Sequence, residues 1–382
     1  MSEALRPSGI RAVFDRALAL EAQGRSIVHL EIGRPHLGSP PVAAEAATAA
    51  LAAGDVHYTP NRGTPALRAA LADMLAAAGR PYDADTEIVV TAGGSEAVFA
   101  ALRALLAPGD EVIIPTPAWP HYEAHARLAD AVPIAVPSRA SDGFVPDPER
   151  IAAAITPATK AIVISSPSNP TGAVLGRDTL QALADLCHRH DLVAISDEIY
   201  RRFAYGAHEH ISIATLPGMR ERTVIADSCS KTYAMTGWRV GYAAAPKALL
   251  DRVATVHQYL TVCAPSFAQA GAVAALREGE PFVAAMVAEY GRRRDALRAG
   301  LAALPGVELT AADGAFYAFP RFTDAGVGGS DFPVDLLEDA GVATVPGTAF
   351  GTGVDDHLRI SYAVSEAELD EGLARLAATL NG

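Results

Sequence analysis

The chain is poor in cysteine, in positive charge and in long apolar runs. Its three cysteines, Cys187, Cys229 and Cys263, are odd in number and widely spaced. They form neither a disulfide framework nor a zinc pattern, and they suit a reducing cytoplasm. Lys and Arg number 31 against 44 Asp and Glu, a formal charge of −13 that repels nucleic acid and anionic membranes. No uninterrupted apolar stretch is long enough to cross a bilayer, because Glu45, Arg68 and Arg103 break the alanine-rich runs. The opening residues, Met1-Ser2-Glu3-Ala4-Leu5-Arg6-Pro7, lack the charged-then-apolar layout of a signal segment. What is present is a globular composition, half hydrophobic and one fifth charged, over 382 residues. That length predicts two domains, or one large and one small.

Apolar spacing predicts a helix over 8–24 and a strand over 27–32 that ends in the turn Gly33-Arg34-Pro35. Alanine-rich helices follow over 41–53 and 64–79, joined by a polar loop, 57–63, that carries Tyr58. From residue 87 strands and helices alternate. Strands are expected over 87–91, 111–114, 132–136, 160–164, 193–196 and 223–226, with helices over 95–106, 121–129, 148–155 and 179–190. This rhythm predicts a parallel sheet with helices on both faces, which binds ligands beyond the carboxyl ends of its strands. Residues 246–303 read as helical, with Arg292, Arg293 and Arg294 on a solvated stretch, and 366–380 as a terminal helix. Residues 326–329 read as a flexible loop.

The strand ends hold the chemistry. Thr91-Ala92-Gly93-Gly94-Ser95-Glu96 opens a helix and is either an anion site or an ordinary start with Ser95 as its cap. Trp119 is either a stacking surface for an aromatic ring or a core residue. Asn169 lies in a proline-flanked turn, where it forms the turn or donates to an oxygen. Asp197 directly follows an apolar run, which is costly unless a cation or donor meets it. A protonated ring nitrogen would do so. Metal binding has no companion cluster of His and carboxylates in its favour. Lys231, in Ser228-Cys229-Ser230-Lys231, is either a snorkelling surface amine, which composition alone favours, or a desolvated one able to form a Schiff base. Ser228-x-x-Lys231 also fits a serine-nucleophile hydrolase, but the Ser-Asp-Asn and Lys-Thr-Gly companions are missing. Together these groups suit a phosphorylated, protonated aromatic aldehyde.

The stretches Ser168-Asn169-Pro170-Thr171-Gly172, Asp197-Glu198-Ile199-Tyr200, Ser228-x-Ser230-Lys231, Gly237-Trp238-Arg239-x-Gly241 and His357-Leu358-Arg359-Ile360-Ser361 carry a resemblance. Through them the chain resembles the fold-type I pyridoxal-phosphate enzymes, specifically class I/II aminotransferases similar to aspartate aminotransferase, from about residue 25 to 365. The resemblance implies an α/β fold, with a large cofactor domain on a mostly parallel sheet over 40–285. A smaller α+β domain would be built from both chain ends, 1–39 and 286–382. It implies pyridoxal 5′-phosphate held as a Schiff base on Lys231, which also shuttles the substrate proton. Asp197 would pair with the ring nitrogen, Asn169 and Tyr200 would bind the phenolic oxygen, and Trp119 would stack on the ring. Gly94, Ser95, Ser228, Ser230 and Arg239 would hold the phosphate, with Glu96 counted among the cofactor residues. Tyr58, and with it Ser266, would reach the phosphate of a neighbouring subunit in a homodimer. Arg359 would clamp the substrate carboxylate, with Gly33 at the same end and Trp119 and Asn169 also touching substrate.

The activity implied is amino transfer from an amino acid to a 2-oxo acid by a ping-pong mechanism. A lyase or cyclase of the same fold is the alternative, and Tyr200 at the last position of Asp-Glu-x-x favours transamination. A non-catalytic regulator would need a DNA-binding extension that this chain lacks. Gly33-Arg34-Pro35-His36-Leu37 departs from the family's Gly-x-Pro-Asp-Phe, so Arg34 and His36 either alter side-chain selection or face solvent. No second arginine stands out for a dicarboxylate, and apolar or aromatic donors are expected.

Overall fold

The computed structural model describes residues 5, 9–323 and 332–381; the loop expected over 326–329 lies outside them. Its centre is a seven-stranded sheet in the order Ile88–Thr91, Gly241–Ala244, Thr223–Ser228, Val193–Asp197, Thr159–Ser165, Glu111–Thr116, Val132–Pro137. The last five are mutually parallel. The edge strand Ile-Val-Val-Thr and the inner strand Thr-Val-Ile-Ala-Asp-Ser are both buried along their whole length because helices cover both faces. Gly241–Ala244 runs antiparallel to both neighbours. Only the four-residue helix Cys229–Thr232 and a short 3-10 turn, Thr236–Trp238, separate it from Thr223–Ser228, too little to carry the chain over the sheet face, so the strand returns antiparallel. The alternating strands and helices of the sequence therefore match the structure, and this one returning strand is the exception to parallel order.

Small residues let the layers close up. The Ser266–Glu278 helix packs on Pro41–Ala52 through Gly271, where an added Cβ would lie 2.4 Å from the Trp238 ring and 2.8 Å from the Ala43 carbonyl.

The two chain ends meet. Val28–His29 pairs in parallel with Val342–Ala343, and Leu30 N–H continues to the Ala343 carbonyl. The strand expected over 27–32 is thus a two-residue pairing, after which the backbone turns so that Gly33 faces Tyr317. A Cβ at Gly33 would lie 2.0 Å from the Tyr317 hydroxyl, so only glycine fits.

The reading of Arg292, Arg293 and Arg294 as solvated needs correction at Arg293. It is 7% exposed, donates to the Val364 carbonyl and pairs with Glu289 on the Glu280–Ala302 helix. It also lies 3.1 Å from both ring nitrogens of His36, which contacts Tyr290 as well, so His36 braces the Gly33 turn. Three consecutive residues span about 200° of a helix's circumference, and here Arg293 is the one that turns inward.

Candidate active site

A cleft of about 620 Å³ opens beyond the carboxyl ends of the parallel strands. Lys231 projects into it from the short Cys229–Thr232 helix, whose start is capped by Ser228 Oγ accepting from Ser230 N–H at 3.1 Å. The amine donates to the Gly33 carbonyl and lies 6.0 Å from the Phe316 ring centre. Burial, then the Arg359 and Arg239 guanidinium groups, bring it down to about 8, with Asp197 opposing them. Lys231 is therefore the desolvated amine rather than the surface one.

Asp197 ends its strand and is buried. Its carboxylate accepts from the Tyr122 hydroxyl at 2.6 Å and from Ile199 N–H at 3.1 Å. Burial pushes the carboxyl up to about 6 against those two donors. The sequence required a cation or donor here, and Tyr122, three residues after Trp119, is that donor. Trp119 lines the cleft, stacks on His121 at 4.1 Å and 10°, and meets Tyr122 edge-on.

Asn169 Oδ1 accepts from Arg359 at 3.0 Å, which leaves its amide N–H groups free to donate. Arg359, on the Leu358–Ser361 strand, is buried, donates also to the Glu31 carbonyl, and lies 4.5 Å from the Tyr317 ring centre. Its Nε has no hydrogen-bond partner among the described residues. A buried guanidinium with an unspent donor is a binding site in waiting, since the full cost of that group falls due until an acceptor arrives. Tyr200 and Tyr317 share a hydrogen bond of 2.7 Å beside it.

The phosphate-type cup forms around Gly93, at φ +90°, where a Cβ would lie 2.3 Å from an Arg239 terminal nitrogen. Gly241 closes on the same loop, with a Cβ there 2.4 Å from the Gly93 carbonyl carbon. Arg239 itself sits at φ +55°, an uncommon conformation for a side-chain-bearing residue, and donates to the Ala92 and Thr236 carbonyls. The Gly94–Leu105 helix begins here, and its first N–H groups, with no intrahelical acceptor, point at the cup.

Three expectations change at this point. Ser95 is not the cap: Gly93 occupies that position and Ser95 lies in the first turn, lining the cleft with Gly94. Glu96 does not face the cleft, because its carboxylate turns back to Ala92 N–H, His257 and Thr261. Ser266 is buried and donates to the Asp55 carbonyl at 2.7 Å rather than standing free. Tyr58, in contrast, is 86% exposed and does not line its own chain's cleft.

Sequence reading missed Tyr122, Tyr317 and Ile10, all of which line the cleft. Tyr122 lay inside a stretch singled out for its tryptophan. Tyr317 and Ile10 sit in apolar contexts that look like core. Glycine-walled N–H donors with an arginine, a buried carboxylate and a neutralisable amine together fit a phosphorylated pyridine aldehyde.

The family model described as "Aminotransferase class I and II" matches residues 25–376. The aspartate/prephenate aminotransferase of Thermus thermophilus is 41% identical over 99% of this chain and 97% of its own length. The aspartate aminotransferase of Pyrococcus abyssi is 39% identical over 98% and 96%. Among solved structures, the Thermus thermophilus aspartate aminotransferase with maleate superposes with a TM-score of 0.93 at 41% identity, covering 98% of this chain and 97% of that one. The aromatic aminotransferase of Pyrococcus horikoshii gives 0.90 at 39% identity, covering 95% and 98%. The cleft and these likenesses agree: the chain belongs to the class I and II aminotransferases, pyridoxal-phosphate-dependent enzymes of the α/β fold described above.

Proposed function

We propose that this aminotransferase works from Lys231, with each group of the cleft in the following role. Pyridoxal 5′-phosphate, when bound, supplies an aldehyde carbon and an electron-withdrawing ring. Lys231 is the amine for that carbon and, once released, the base that moves the substrate Cα proton. Asp197, held by Tyr122, retains the proton on the ring nitrogen. Asn169 and Tyr200 donate to the phenolic oxygen, and Trp119 covers one ring face. The helix start at Gly94 and Ser95, with Ser228, Ser230 and Arg239, holds the phosphate. Arg359 binds the substrate carboxylate with Gly33 beside it. The observation that carries this reading is the Lys231 amine in one cleft with Asp197, Asn169 and Arg359, donating to the Gly33 carbonyl; burial, then Arg359 and Arg239, bring it down to about 8. An amine so placed is available as a nucleophile near neutral pH.

The donor and acceptor alternate at one site, amino acid then 2-oxo acid. Among the described residues the cations lining the cleft are Lys231 and Arg359, while Ile10 contributes an apolar wall. This favours donors with uncharged, apolar or aromatic side chains, although several relatives are named for aspartate.

We further place the active unit as a homodimer in the cytoplasm. Val56, Tyr58, Tyr259 and Val262 are exposed, and the Asn61 side chain joins their two segments by donating to the Val262 carbonyl. This apolar face suits a second copy, with Tyr58 reaching the partner's phosphate. No helix among the described residues is long and apolar enough to cross a membrane. Residues 1–39 and 286–382 form the small domain and 40–285 the large one. The second boundary falls inside the Glu280–Ala302 helix, which would act as their shared spine.

The test is a half-reaction. Donor alone should convert the bound cofactor to its amine form, released keto acid matching enzyme one to one. Continuous keto acid or ammonia with an unchanged spectrum would mark a lyase instead.

A further inference from the structure

Glu96 is the third residue of the Gly94–Leu105 helix, within one turn of the N–H groups assigned to a phosphate dianion. A carboxylate there supports the helix start by itself. It also opposes a second anion at the same end.

The structure answers this with a buried histidine. One Glu96 oxygen accepts from Ala92 N–H; the other accepts from Thr261 Oγ at 2.7 Å and faces His257 Nδ1 at 2.8 Å. The opposite ring nitrogen, Nε2, lies 2.9 Å from the Asn61 carbonyl. Burial alone would raise the Glu96 carboxyl, but the bonds from His257, Thr261 and Ala92 outweigh it and hold the group below its ordinary value. An ionised carboxylate only accepts, and so does a carbonyl. Each ring nitrogen of the buried His257 thus faces an acceptor, Glu96 on one side and the Asn61 carbonyl on the other, an arrangement that suits a ring donating from both nitrogens.

We propose that His257 is a positioning residue that cancels the Glu96 charge at the phosphate cup while fixing the Asn61 segment that follows Tyr58. The inference rests on the cofactor reading above and goes beyond it. The pair joins two parts of the phosphate site: the loop 92–95 on one side, and the segment that presents Tyr58 to a second copy on the other. A single neutralised contact thus shapes the cup and its neighbour together.

The test is titration of the cofactor-free enzyme with pyridoxal 5′-phosphate, followed by absorbance, with inorganic phosphate as competitor. His257→Gln keeps one donor and loses the charge. It should weaken both ligands about tenfold, the scale of one charge at a helix start. Glu96→Gln should bind both as tightly as the unsubstituted protein or more tightly, and the double variant should recover most of the loss. Equal losses in both single variants that add in the double would show mere packing and overturn the proposal. So would His257→Gln binding like the unsubstituted enzyme. Should His257→Gln fail to fold, Glu96→Gln decides alone, and weaker binding there overturns it. Failure of the unsubstituted protein to take up cofactor would instead overturn the underlying reading, and this inference with it.

Discussion

The Tyr122 hydroxyl donates to the Asp197 carboxylate at 2.6 Å across the floor of the cleft, joining the end of one strand to the helix that follows another. Its consequences are measurable. Tyr122→Phe removes a hydrogen bond to a charged group, which is typically worth about 1.5–3 kcal/mol. Cofactor affinity should fall at least tenfold, with kcat lowered and the KM for amino acids nearly unchanged, as read by spectral titration and steady-state kinetics. Unaltered cofactor affinity would count against the role given to the pair.

Asp197 also predicts a pH effect in the cofactor-free protein. Burial raises its carboxyl to about 6, above the ordinary value of about 3.9. A carboxyl raised on folding binds more protons in the folded state. Its contribution favours the fold at low pH and is lost as pH climbs from about 4 to about 6. Denaturant unfolding across that window should show a falling component for the unsubstituted protein that Asp197→Asn lacks.

Lys231→Ala should abolish turnover and the yellow absorbance of the bound cofactor. Without cofactor the same variant should be more stable than the unsubstituted protein at pH 7, because it removes a desolvated ammonium. The folded-state amine titrates near 8, below the ordinary value of about 10.4. Folding therefore releases a proton between those values, and the advantage of the variant should shrink as pH rises through them. Thermal melts at several pH values check both statements.

Arg359→Ala should raise the KM of every amino donor roughly a hundredfold, as expected when a buried, bidentate carboxylate partner is truncated. The effect should not depend on the side chain. A loss confined to one donor class would assign Arg359 to side-chain selection and move the carboxylate site elsewhere.

If Tyr58 completes the partner's site, mixing should reveal it. Tyr58→Ala and Lys231→Ala homodimers should each be impaired. Hybrids formed by reassociation should regain activity at one of their two sites, the one with an intact Lys231 and a Tyr58 from the other copy. No recovery in confirmed hybrids would place Tyr58 outside the site.

Much of this was legible before any coordinates. Alternation of strands and helices announced the sheet, and because ligands gather at strand ends, Asp197, Asn169 and Lys231 could be picked from short motifs. Each announces itself as a polar residue where an apolar run stops. Tyr122, Tyr317 and His257 gave no such signal, because a buried donor and a core aromatic have the same local pattern. Their partners are 75, 117 and 161 residues away, respectively, along the chain. The direction of Glu96 was hidden for the same reason, since a side chain's turn at a helix start depends on what the rest of the fold offers it. The returning strand at Gly241–Ala244 escaped too, because antiparallel order follows from the missing crossover rather than from the residues in the strand.

The parallel pairing of Val28–His29 with Val342–Ala343 sets a timetable for synthesis. Gly33 follows directly from the first of these segments and Arg359 lies beyond the second, so the cleft is finished only when nearly the whole polypeptide has emerged from the ribosome. The central sheet can gather earlier from contacts closer in sequence. Nascent chains halted near residue 330 should therefore be compact yet unable to retain the vitamin.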